Sequence, residues 1–159
     1  MPLYPGTNSI ASTSAVLKGN GSGAAVAATA GTDYVAPSTA TAFTAQQTPA
    51  TGTLTDGATI NWDVSAKQAP SVTLAGNRTM AAVTNAVAGT TYLLSVIQDG
   101  TGSRTLSWTT SGAGSFDFGA AGAPTLTTTA GAMDVLSFLA VTVGGTLKLR
   151  FVGIAKGFT

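Results

Sequence analysis

From Thr51 onward, apolar and polar residues alternate in short runs, the period-two signature of strands with one buried face. Over 58–64 the apolar positions Ile60, Trp62 and Val64 are separated by Asn61 and Asp63, and Val72 and Leu74 repeat the pattern over 71–75. Asn77 offers a turn before Met80, and the run 92–98, apolar on both faces, reads as a central strand. Asp99-Gly100-Thr101-Gly102 then predicts a hairpin turn, because glycine reaches positive φ without steric cost. The returning strand would be 104–108, with Leu106 and Trp108 inward. Phe116 and Phe118 alternate about Asp117, and 124–129 is rich in Thr. A final pair, 133–143 and 146–154, turns at Gly144-Gly145, with Leu147, Leu149 and Phe151 on one side and Lys148 and Arg150 on the other. About eight to ten short strands with regular turn signals predict an all-β head, an antiparallel β-sandwich or jelly roll.

Residues 1–50 read differently. Their large apolar residues are thinly spread, they carry only Lys18 and Asp33 as charges, and no periodicity persists long enough to build a buried face. Gly19-Asn20-Gly21-Ser22-Gly23 is a flexible or tightly turning stretch, and 24–30 is nearly all Ala. A short helix over 38–47 is allowed, with Ser38 or Thr39 as its N-cap and Pro49 beyond its end. The division expected is an extended, largely irregular N-terminal attachment segment, 1–50, followed by a head domain, 51–159.

Composition narrows the chemistry. The 159 residues include no His, Cys or Glu, and Ala, Thr, Gly and Ser together supply 89 of them. Ser-His-Asp and Cys-His nucleophiles, thiol redox pairs and the common zinc sites are therefore out of reach. Any carboxylate pair would have to come from the six Asp residues, so no enzymatic activity, cofactor or metal is expected. Seven scattered basic residues and a net charge of +1 argue against nucleic acid. No apolar run approaches the roughly 20 residues of a membrane helix, and the first residues lack the features of a signal peptide, so synthesis in a cytoplasm is expected. Charged residues are 8% of the chain and the mean hydropathy is +0.33, a composition that favours association with other chains.

Two stretches resemble known proteins. Val16-Leu17-Lys18-Gly19-Asn20-Gly21-Ser22-Gly23-Ala24, continuing to Gly31-Thr32-Asp33-Tyr34, resembles a segment that recurs in tail-fibre and related virion-fibre proteins of tailed bacteriophages. Within the β region, 54–60, 74–80, 97–108 and 152–157 are similar to a domain at the ends of phage structural proteins. The resemblance implies a virion protein, commonly a homotrimer, with an N-terminal portion that docks on the particle and a β head that projects. A chain of 159 residues has no room for a long shaft, which points to a short fibre, spike or head fibre on capsid, neck or baseplate. Its partners would be copies of itself, other virion proteins and a host-surface glycan or protein. A capsid decoration or cementing protein is the alternative reading, with a glycan-degrading spike behind it.

Leu17, Lys18, Gly19, Asn20, Gly21 and Tyr34 are the candidate virion-attachment residues. Asp99, Gly100, Thr101, Gly102 and Arg104 form a candidate exposed head loop that offers opposite charges to a polar ligand. A turn whose two charges pair with each other is the favoured alternative. Trp62 and Trp108 could stack on sugar rings, but both lie on the apolar side of alternating runs, where core packing is favoured.

Overall fold

The computed structural model describes residues 48–159 and, before them, the strands β1 (Leu17–Gly19) and β2 (Ala25–Ala27). The chain divides into two units, Met1–Gln47 and Thr48–Thr159. In the first, β1 and β2 pair antiparallel with Leu17 opposite Ala27 and Gly19 opposite Ala25. These two three-residue strands lie within the expected 1–50 segment, the rest of which up to residue 47 lies outside the described residues. The helix allowed over 38–47 lies outside the described residues.

The second unit is built from β3 (Thr51–Thr53), β4 (Thr59–Ile60), β5 (Ala69–Leu74), β6 (Arg78–Met80), β7 (Thr91–Gln98), β8 (Leu106–Trp108), β9 (Ser115–Asp117), β10 (Met133–Val143) and β11 (Thr146–Phe158). Among the described residues the only helical element is the 3₁₀ turn Gly119–Ala121. The all-β class is therefore observed, but the connectivity differs from the expected antiparallel one. β3, β5 and β7 lie side by side and parallel in one sheet, and β4, β6 and β8 do the same in a second. The chain thus winds as a coil, placing one strand in each sheet on every turn. A lone parallel bridge, Asp63 to Thr84, marks a third side.

In the larger sheet the parallel series ends at β7. β10 pairs antiparallel with it, β11 pairs antiparallel with β10, and β9 joins the far edge parallel to β11. The larger sheet therefore has six strands in the order β3-β5-β7-β10-β11-β9, and the smaller has three. The β10–β11 turn is made by Gly144 and Gly145 at φ 56° and 77°, the positive values that a two-residue hairpin demands at both central positions. Between Ser137 and Phe138 the partner strand carries one extra residue, and the displaced Val152 is exposed.

The expected 99–102 hairpin is not formed. β7 and β8 belong to different sheets, so this segment is a corner of the coil. The expected strand over 58–64 is likewise only Thr59–Ile60 before the chain bends. Ile60, Trp62 and Val64 are nevertheless all buried, because the alternation carries inward positions around the bend. They join Val72, Leu74, Met80, Leu94 and Val96 in one cluster shared by both sheets. Trp62 meets Tyr92 edge-on and donates from Nε1 to the Lys67 carbonyl at 2.6 Å. Toward the other end the core turns aromatic: Phe138 contacts Trp108, Phe116, Phe118 and Phe151 at centroid distances of 5.2–6.3 Å.

Open strand edges invite further pairing. β3 is such an edge, and Lys67 sits over it, with its ammonium donating to the Thr53 carbonyl at 2.7 Å. Asp134, 2% exposed, ties the loop before β10 to the end of β11 by accepting from the Thr127 and Gly157 N–H groups at 2.6 and 2.8 Å.

Gly114 connects the coil to the sheet extension. Its carbonyl accepts from Val83, its N–H donates to Leu147, and its φ is +72°. A methyl group there would land on the Val83 carbonyl. Gly112, at φ +88°, has open space in the same direction. Gly114→Ala should therefore cost more than about 2 kcal/mol and Gly112→Ala about 1 kcal/mol, measured as urea unfolding free energies.

Candidate functional site

Each time the chain leaves the larger sheet for the smaller one, it turns through a polar corner, and the three corners stack. From the first comes Asp56, which takes a two-pronged contact from Arg78 of the second, at 2.8 Å from Nε and 2.6 Å from Nη2. Asn77 of the second corner accepts from the Thr105 N–H of the third at 3.0 Å. Within the third, Asp99 and Arg104 pair at 2.7 Å, and Asp99 Oδ1 also accepts from the N–H groups of Thr101 and Gly102. Buried Gln98 closes the corner by exchanging two hydrogen bonds with the Arg104 backbone, at 2.8 and 3.0 Å. The result is a rail of side-chain and backbone bonds that registers successive turns.

These contacts fix the charge states. The hydrogen bond from Arg104 holds the Asp99 carboxyl down to about 2; partial burial opposes this, and the Gly102 and Thr101 N–H groups add to it. Asp56 is lowered in the same way, first by its hydrogen bond from Arg78 and against a desolvation cost. Both arginines are correspondingly raised by their carboxylates.

Of the candidate loop, Gly100 and Thr101 are exposed, Asp99 and Arg104 are half-buried, and Gly102 is buried near the Thr128 carbonyl. The two charges pair with each other, as the favoured reading of this loop had it, though across a corner and not a hairpin. Of the candidate attachment residues, Leu17, Lys18 and Gly19 form β1, while Asn20, Gly21 and Tyr34 lie outside the described residues. Trp62, 1% exposed, is a core residue. Trp108 is half-buried, and its Nε1 finds no acceptor among the described residues.

The clefts on the body include two of contrasting lining. A polar one of about 410 Å³ lies along β4 and is lined by Thr55, Asn61, Asp63, Lys67 and Thr84. Its charges are engaged: Lys67 on the Thr53 carbonyl, Asp63 with Ser65 and Asn85. An aromatic one of about 460 Å³ lies between β8 and the β9 segment, with walls from Trp108, Phe116 and Phe118 and a rim that includes Asp117 and Lys148. Aromatic walls beside a carboxylate and an ammonium suit a ligand with apolar faces and polar edges. Sequence reading could not find this cleft, because its lining comes from three segments that only the final sheet order brings together. Among the described residues no group of three or more His, Cys, Asp or Glu could hold a metal, and no helix is long and apolar enough to cross a membrane.

No protein-family model, curated protein or solved structure matches the chain. Each described Asp braces a corner, a loop or a strand end.

Asp99 has a folded pKa below its unfolded value of about 3.9, so its stabilisation is fully present above that value and fades as pH falls toward about 2. Arg104→Gln should therefore lower the urea midpoint relative to wild type at about pH 6. The difference should shrink as the pH drops from about 4 to about 2.

Proposed function

We propose that this chain is a non-enzymatic structural protein of a bacteriophage virion, a short fibre or spike. Residues 1–50 attach it to the particle at capsid, neck or baseplate. The body that follows is a β-sandwich head held out toward a host-surface glycan or protein. Three copies make the working unit, so that weak single contacts add up as avidity. It is made in the host cytoplasm and incorporated there.

The observation that carries this reading is the run 16–37, whose Leu17-Lys18-Gly19-Asn20-Gly21 and Gly31-Thr32-Asp33-Tyr34 resemble the fibre segment and fall in a unit separate from the Thr48–Thr159 body. Scarce charge supports it, since a chain with 8% charged residues benefits from sharing surface with other chains. The braced corners support it too: a displayed head must keep its form with its loops in solvent.

Deleting residues 1–35 should leave a body with the strand-rich circular dichroism of the full chain that no longer joins assembling particles. Incorporation of the truncated protein at the normal level would overturn the attachment role. Copy number per particle separates the fibre from a decoration protein: a few to a few dozen for the first, hundreds for the second.

A further inference from the structure

The two sheets present opposite outsides. On the smaller sheet, Thr59, Thr79 and Ser107 stand side by side and exposed, a polar row that water covers well. On the larger, the outward positions of β5, β7 and β10 hold no ionic group at all. Instead they carry Leu93, Ile97, Met133, Val135, Leu139 and Val141, brought together by the register. Ile97 lies beside Met133, Val135 beside Ser95, and Leu93 beside Ser137. Leu93 is 39% exposed, and within the Thr48–Thr159 unit no helix or further strand layer lies over this face. Charge returns at the β11 margin, where Arg150 lies 3.7 Å from Asp117 and Lys148 stands two residues before it. An apolar centre with a charged margin is the anatomy of a protein interface.

We propose that this face is where copies of the chain pack on one another. The inference rests on the multimeric reading above and adds to it the surface that joins the copies. Area and chemistry both favour a second copy as the occupant. β5, β7, β10 and the β11 margin, four strands at about 4.8 Å spacing over about seven or eight residues at about 3.3 Å rise, project roughly 500 Å². Two such faces together remove about 1,000 Å², the bar a biological interface must reach. A sheet face studded with Ser and β-branched residues offers small, regular relief to its own kind, and the adjacent Asp117 and Arg150 give each copy both signs to offer the other's margin. In a three-fold assembly the three faces would line the axis.

The test uses the full chain at about 100 µM, with mass measured by light scattering after gel filtration. Wild type should run as a multimer, and the double variant Leu93→Lys, Val135→Lys should associate at least about a hundredfold more weakly while keeping its circular dichroism. The chain has no cysteine, so Ser137→Cys on this face and Thr79→Cys on the outside of the smaller sheet each supply a single thiol. Maleimide should modify the Ser137→Cys protein slowly when concentrated and quickly when dilute, and the Thr79→Cys protein equally at both. If the double variant does not fold, the thiol pair decides alone. A wild-type multimer with an unweakened double variant and an unprotected thiol at 137 overturns the face and leaves the multimeric fibre standing. A wild type that stays a single chain at 100 µM overturns both.

Discussion

Parallel stacking is the constraint on which the body depends. In an antiparallel hairpin a strand and its neighbour in sequence satisfy each other at once. In a coil, the backbone donors and acceptors of one turn must wait for the next turn to arrive. β3 is satisfied by β5 and β5 by β7, and the same debt passes along β4, β6 and β8. Such a series has no natural end, so something must stop it at each side. At one side Lys67 reaches over the β3 edge and occupies a carbonyl. At the other, the β10–β11 hairpin reverses direction beside β7 and converts the ladder to an antiparallel one.

The polar corners follow from the same constraint. A stacked coil holds its register only if its turns are kept from sliding, and the inward side chains alone give little hold in the direction of stacking. Asp56 with Arg78, Asn77 with the Thr105 N–H, and Gln98 with the Arg104 backbone supply directional bonds at the point where the chain leaves one sheet for the other. Five carboxylates and three arginines occur in the described body, and most serve as such braces. The few ionic groups of the body are concentrated where backbone geometry must be fixed, and the outward positions of β5, β7 and β10 are left without any.

Much of the burial pattern was legible in the sequence, and little of the connectivity. Ile60, Trp62, Val64, Val72, Leu74, Leu149 and Phe116 were readable as inward positions because alternation reports the facing of a residue wherever its strand pairs. The Gly144-Gly145 hairpin was legible because its turn chemistry is local. Asp99-Gly100-Thr101-Gly102 carried the same local signal and was misread as a hairpin: a glycine corner between sheets and a hairpin between neighbours use the same residues. The coil itself left no period to find. Thr51 lies beside Ala69 but Ser71 beside Ser95, so successive turns differ in length and no fixed repeat appears. The aromatic cleft, assembled from β8, β9 and β11, depends on that unseen order.

Because the ladder matches rung to rung and ignores what intervenes, the segments between rungs are under no metric requirement. The stretch from Met80 to Thr91 is longer than that from Ile60 to Ala69, yet both return the chain to the same sheet in parallel register. Such a scaffold tolerates insertion and deletion at its outer bends while its interior stays constant, so the parts that meet the environment are free to diversify by changing length as well as sequence.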